Sequence, residues 1–226
     1  MENFYKAYDM MDKKLELLIP EFLKKSNIYI DAGAHDGLDE SNTYFLEKKY
    51  NWKGLLIEPI PKIFEKCKEN RSYLNFFENY ALVDKNFSNK KVEINYCNKM
   101  SVLNLEKNYD LPWNPENHVQ KGNKFINFND ELKNKILYIN ALPLQKLLDK
   151  YNLKDIGFFS LDVEGFEIFV LNGIDFEKTT IHYILIETWD LEKIILHMKS
   201  IGYKSYEKLA FQNYLFSLKT DLSQKI

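Results

Sequence analysis

The chain has 226 residues, 45% hydrophobic and 15% aromatic, which suits one α/β domain with a well-filled core. Its 31 basic and 33 acidic residues leave a net charge of −2, which excludes a generally cationic surface for nucleic acid or anionic membrane. Only Cys67 and Cys97 are present, so a disulfide scaffold and a zinc site are excluded and two free thiols in a reducing compartment are expected.

The first element predicted is a helix over residues 3–25, where Leu15, Leu18, Ile19 and Phe22 form an apolar stripe that Pro20 interrupts. A strand follows at 27–30. Ser41, Asn42 and Thr43 offer capping side chains before a helix that starts at Tyr44. A strand at 53–58, a helix at 63–71, a short strand at 74–78 and an alternating strand at 92–96 come next. Residues 97–140 differ. They are rich in breakers and aromatics around Trp113 and polar from Lys121 to Lys135. They read as a lid-like or substrate-binding insertion within a single domain spanning 1–226, with Trp113 the residue best suited to cover a ligand. His118, in the same segment, reads as an exposed loop histidine. Beyond it come a helix at 142–151, a strand at 156–162, a helix at 166–171 and a strand at 181–187. A helix at 190–201 ends at Gly202, and a hairpin-like pair at 206–209 and 214–218 closes the chain. This alternation predicts a mostly parallel sheet with helices on both faces, and ligands in such sheets bind beyond the carboxyl ends of the strands. No window is long and apolar enough to span a membrane, and the stretch from Met1 to Lys6 lacks the basic start and apolar core of a secretory signal. A soluble, cytoplasmic protein is expected.

The richest stretch runs Tyr29-Ile-Asp31-Ala-Gly33-Ala-His35-Asp36-Gly37, followed by Leu55-Leu-Ile-Glu58-Pro59. It reads as strand, glycine turn, helix and a second strand ending in an acid, the opening of a nucleotide-type cofactor site. A pyrophosphate needs bare N–H groups, and Asp31 and Asp36 would repel it. The three-glycine fingerprint of nicotinamide enzymes is also incomplete. S-adenosylmethionine (SAM), with a sulfonium and an ammonium, suits these carboxylates. Gly33 and Gly37 allow close backbone approach, and Glu58 stands where a carboxylate accepts both ribose hydroxyls. Ser41 and Asn42 are candidates either for the methionine end of SAM or for a helix cap. His35 is a candidate for positioning SAM, for a base, or for stabilising the turn.

Asp31, Glu58, Asp162 and Glu187 all end predicted strands, so the topology rule places them along one edge. In Asp162-Val-Glu164-Gly-Phe-Glu167, three carboxylates within six residues raise one another's pKa unless a cation or hydrogen bonds relieve them. Such a group can take the proton of an attacking hydroxyl. Asp162, Glu164, Glu187 and His35 are therefore the catalytic candidates. Asp162 and Glu187 could instead hold Mg²⁺, which would lower the hydroxyl pKa. Glu167, inside the following helix, is as readily a solvated or capping residue, and His182 reads as structural.

These motifs together resemble the FkbM-type SAM-dependent methyltransferases. The resemblance runs through Asp31 to Gly37, Ser41-Asn42-Thr43 with Glu47, Trp52-Lys53-Gly54 leading to Ile57-Glu58-Pro59, Asn70-Arg71, Ser160 to Glu167, and Ile184 to Glu187. It covers roughly residues 27–190, with several motifs in order. It implies a Rossmann-like class I methyltransferase fold: a seven-stranded, mostly parallel sheet with the last strand antiparallel and helices on both faces. It also implies SAM at the glycine turn, with the ribose on Glu58 and with Asp31, Pro59 and Asp162 around it. His35 stands where many relatives have Asn. Many relatives methylate hydroxyls of sugars or other natural products, so the resemblance implies a small acceptor, a surface-polysaccharide or nucleotide-linked sugar. N-methylation of a small molecule and a non-catalytic partner subunit are the competing readings. Nucleic-acid acceptors are disfavoured, because base methyltransferases usually carry Asn/Asp-Pro-Pro-aromatic where this chain has Asp162-Val-Glu-Gly. The sequence is compatible with a homo-oligomer and does not specify one.

Overall fold

Four apolar runs bounded by turns form the centre of the molecule, as expected for strands covered on both faces. In a computed structural model, which describes residues 4–24, 28–104, 114–126 and 130–226, the chain opens with a 3₁₀ turn, Tyr8–Met10, and helices Met11–Leu18 (α1) and Pro20–Leu23 (α2). Strand Ile28–Ala32 (β1), helix Tyr44–Tyr50 (α3), strand Lys53–Ile57 (β2) and helix Pro61–Asn70 (α4) follow. Next come strands Phe76–Glu78 (β3), Ala81–Leu82 (β4), Lys91–Asn95 (β5) and Val102–Asn104 (β6). Helix Pro115–Phe125 (α5), strand Ile136–Leu142 (β7), helix Leu144–Lys150 (α6), strand Asp155–Leu161 (β8) and helix Glu167–Leu171 (α7) continue the chain. Strand Thr180–Glu187 (β9), helix Leu191–Ser200 (α8) and strands Ser205–Lys208 (β10), Asn213–Ser217 (β11) and Gln224–Lys225 (β12) complete it.

The main sheet has eight strands in the order β12-β10-β11-β9-β8-β1-β2-β3. Strands β9, β8, β1, β2 and β3 run parallel, whereas β11 is antiparallel to β9 and to β10. The expected seven strands with an antiparallel closing strand are there. The two-residue β12, hydrogen-bonded to β10, brings the count to eight. Along β1 the side chains alternate between faces. Ile30 joins Leu55, Phe159 and Ile184 against α6 and α8, while Tyr29 joins Leu56, Phe158 and Leu185 against α1 and α3. The register pairs Asp31 with Leu56 and Ser160, and Leu161 with Ile186, so β1, β2, β8 and β9 end together at one edge.

Two segments depart from the sequence reading. Residues 4–7 are not helical. Ala7 bridges Glu40, and the helix breaks at Ile19, because Pro20 has no N–H to continue the ladder and starts a new turn at α2. The described part of 97–140 is more ordered than a lid. It carries helix α5 and supplies β6 and most of β7 to a second sheet, ordered β4-β7-β5-β6, whose Val92, Ile94, Val102 and Ile139 pack with Phe166 and Phe169. Trp113 lies outside the described residues. None of the helices among the described residues is long and apolar enough to cross a membrane.

Candidate active site

The carboxyl ends of β1, β2 and β8 open into a cleft of about 1060 Å³, open solvent at its mouth included, and the second sheet forms its other wall. Asp31, Gly33, His35, Ser41, Asn42, Glu58, Pro59, Asp162 and Glu164 all line it. Tyr80, Leu82, Ile94, Leu103 and Phe166 give it an apolar wall. Gly37 and Glu187 are not among the lining residues. A Cβ at Gly37 would fall 2.8 Å from Cγ of Arg71 and 2.9 Å from Sγ of Cys67, so the protein's own packing requires that glycine. Gly33, at φ +80°, is equally constrained: a Cβ there would stand 1.9 Å from the carbonyl oxygen of Asp162. The two strand ends touch because Gly33 has no side chain.

The turn itself is held by Glu58. Its Oε2 accepts from the His35 N–H at 2.9 Å and its Oε1 from the Ile60 N–H at 2.8 Å. Burial nevertheless pushes its pKa up to about 7, with these bonds and His35 opposing. His35 adopts φ +48°, its Nε2 lies 3.0 Å from Oδ1 of Asn98, and its Nδ1 is an ionic 3.7 Å from Asp36. Burial disfavours its charge, yet Asp36, Asn98 and Glu58 together hold its pKa above the ordinary value. Asp36 accepts from the N–H groups of Leu38 and Asp39 and does not line the cleft, so of the two turn acids only Asp31 faces a ligand there.

Behind the turn lies a network that sequence reasoning missed, although Asn70-Arg71 was visible as part of the family pattern. The Arg71 side chain is wholly buried and donates from Nε to Glu47, from Nη1 to Gly37 O and Ser41 Oγ, and from Nη2 to Tyr29 Oη and Thr43 Oγ1. All the donors of a guanidinium are thus used. Thr43 in turn donates to Asp31 Oδ2 at 2.6 Å, and Asn70 to the carbonyl of Asp36. Thr43 therefore makes no side-chain cap on α3, contrary to the capping expectation, and Ser41 is spent on Arg71 and the Thr43 N–H. The signal available in the sequence was an arginine at the end of α4, ahead of β3, with Glu47 one helix earlier.

The second acidic group is not compensated in this way. Asp162 and Glu187 repel each other at the strand ends, and both pKa values are raised. For Asp162 burial leads, followed by repulsion from Glu187, Glu164, Glu167 and Asp31; for Glu187 burial leads. Glu164, at φ +53°, is pushed up to about 8 by burial, then by Glu187 and Glu167. Glu167 is 4% exposed and accepts from the Gly165 N–H at 2.8 Å, a turn-capping bond at the start of α7, while burial lifts it to about 7. His118, read as an exposed loop residue, is instead buried on α5, with Nε2 3.3 Å from Glu164. From the second sheet's side, Lys99 reaches Asp39 and Glu40 at 2.6 and 2.7 Å across the cleft mouth.

Residues 31–205 match the methyltransferase FkbM domain family. The chain belongs to that family. Two solved methyltransferase structures show a distant likeness to the chain. A precorrin-6y C5,15-methyltransferase from Geobacter metallireducens GS-15 is 10% identical with a TM-score of 0.38, covering 90% of this chain and 85% of that one. A delta-N METTL16 methyltransferase domain is 12% identical with a TM-score of 0.40, covering 92% and 80%. No curated protein matches in sequence. An FkbM-family chain is a methyltransferase that uses SAM.

The cleft fits that donor. Its lining carboxylates, Asp31, Asp39, Glu40, Glu58, Asp162 and Glu164, face one lysine, Lys99, already paired. A cationic ligand is what such a wall favours. The buried Asn42 Oδ1 accepts from no described partner and stands ready for a donor such as an ammonium. Mg²⁺ fits less well. No three His, Cys, Asp or Glu side chains among the described residues gather in a metal-holding group, and Glu187 does not line the cleft.

Proposed function

We propose that this chain transfers the SAM methyl group to a hydroxyl of a small, sugar-containing acceptor. The observation that carries the reading is the uncompensated carboxylate cluster, Asp162 with Glu187 behind it and Glu164 beside it, set in the wall of the cleft. A hydroxyl is a weak nucleophile, and a carboxylate of raised basicity is suited to take its proton near neutral pH. In this reading Asp162 is the base. Glu187 shares the proton that Asp162 gains, and Glu164 orients the hydroxyl. SAM, when bound, supplies the electrophilic methyl carbon. Glu58 would hold the ribose and Asn42 the ammonium, while Asp31 and Gly33 would line the cofactor's seat. A bound cation favours the ionised forms of the surrounding acids, which leaves Asp162 able to accept. The sugar character of the acceptor rests on the family's habits.

The test is methyl transfer from isotopically labelled SAM to a panel of free sugars, sugar nucleotides and matched amines. Label on a hydroxyl, lost in Asp162→Asn, is the expected result. Label only on amines would replace the reading with N-methylation. Absence of any stabilisation by S-adenosylhomocysteine would point to a non-catalytic subunit.

A further inference from the structure

Helix α5 sends one buried side chain into the acidic cluster from outside the cleft. Nε2 of His118 lies 3.3 Å from Oε2 of Glu164 and 3.2 Å from the carbonyl oxygen of Met100. A carbonyl oxygen only accepts, so Nε2 carries its hydrogen and donates it to Met100, with the Glu164 carboxyl group 3.3 Å from the same nitrogen. Burial also disfavours a second proton on the ring, so His118 acts as a neutral donor. Glu164 lines the cleft, whereas His118 does not. Glu164 also holds a left-handed backbone at φ +53°, beside Gly165 at +91°, a conformation that a glutamate keeps only where its surroundings over-determine it. Those surroundings form one unit. A Cβ at Gly122 of α5 would stand 2.7 Å from Cβ of Cys97 and 3.1 Å from Cβ of Met100, so α5 lies directly on the 97–101 turn. The same turn places Asn98 on His35.

We infer that His118 is a positioning residue: its ring, fixed by the bond to Met100, packs its Nε2 edge against the Glu164 carboxyl group and holds it in the cleft, where Glu164 orients the acceptor. This rests on the hydroxyl-transfer reading for what Glu164 does, but not for where Glu164 is held. Through His118 the segment between β5 and β7 becomes part of the reaction centre as well as its wall.

The experiment compares wild type, His118→Gln, which keeps a side-chain N–H, and His118→Leu, which removes it. Crystal structures with S-adenosylhomocysteine are read together with kcat, acceptor KM, cofactor Kd and Tm. In His118→Leu the expected result is a Glu164 carboxylate displaced from the cleft and kcat lowered about tenfold or more, with cofactor Kd within about threefold. His118→Gln is expected to recover most of kcat. Glu164 unmoved in His118→Leu, kcat within threefold in both variants, or parallel loss of Tm and cofactor binding in both would overturn the proposal. Should wild type methylate no hydroxyl, the transfer reading fails, and the crystal structures, which need no acceptor, still decide where His118 holds Glu164.

Discussion

Two buried acidic clusters stand on either side of the glycine turn, and their charges are managed in opposite ways. Around Arg71 the acids have partners, although burial still outweighs Arg71 and Thr43 at Asp31 and raises its pKa. Burial opposes ionisation of Glu47, but Arg71, Lys48 and Asn75 outweigh it and hold the pKa at about 2. Around Asp162 no cation among the described residues answers, and burial with mutual repulsion drives Glu164 to about 8 and Asp162 well above its ordinary value. The same residue types at similar burial thus give a rigid brace in one place and a reactive, proton-holding surface in the other. The difference is one guanidinium. A satisfied network specifies a shape, while an unsatisfied one marks a place where a ligand's charge or proton is expected.

The comparison breaks most visibly at Arg71. Replacing it with Leu leaves Glu47 and Asp31 buried without their cation, and we expect a loss of about 3–5 kcal/mol, read as a large fall in the urea midpoint or failure to fold. Asp162→Asn should do the reverse. Stability holds or rises, because a repulsive charge is removed, while turnover falls by about 10²–10⁴. Full activity in that variant would remove Asp162 from the mechanism. Glu58→Ala lies between the two clusters, since Glu58 both braces the turn and faces the cleft. S-adenosylhomocysteine affinity should drop about 10- to 150-fold, the effect of hydrogen bonds to a charged group, as read by calorimetry.

Titration sharpens the contrast further. Glu58, Glu164 and Glu167 keep protons in the fold that the unfolded chain has released above about pH 4.3. Their contribution therefore falls as pH rises from about 4.5 to about 8. Glu47 acts oppositely, and its contribution is lost as pH falls from about 4.3 towards 2. Unfolding free energy should peak near pH 5 and decline by pH 9, and Glu164→Gln should flatten the alkaline side. A curve rising from pH 5 to 9 would contradict the uncompensated cluster. The smallest effect is expected at Lys99, which is 37% exposed. Lys99→Ala should change cofactor affinity by no more than about fivefold, as partly screened pairs do.

Much of this molecule was legible in the chain itself. The apolar runs ending in Asp31, Glu58, Asp162 and Glu187 announced their strands, because period and length are local properties, and the crossover rule alone put those acids on one edge. Other features were not local. Arg71 was one charged residue among many until five partners from β1, the β1–α3 turn and α3 closed around it. His118 sat in a breaker-rich stretch whose short strands depend on pairing with β5, so neither its helix nor its burial could be read from residues 97–140. Gly37, read as a site of ligand approach, proved to be space reserved for Arg71. Sequence by itself determined the order of the main-sheet strands and the helices between them, the family pattern and the edge where chemistry gathers, since these follow from periodicity and connection rules. Only the tertiary structure decided which acids are braced and which are left exposed to a ligand, because that depends on where a single buried cation comes to rest.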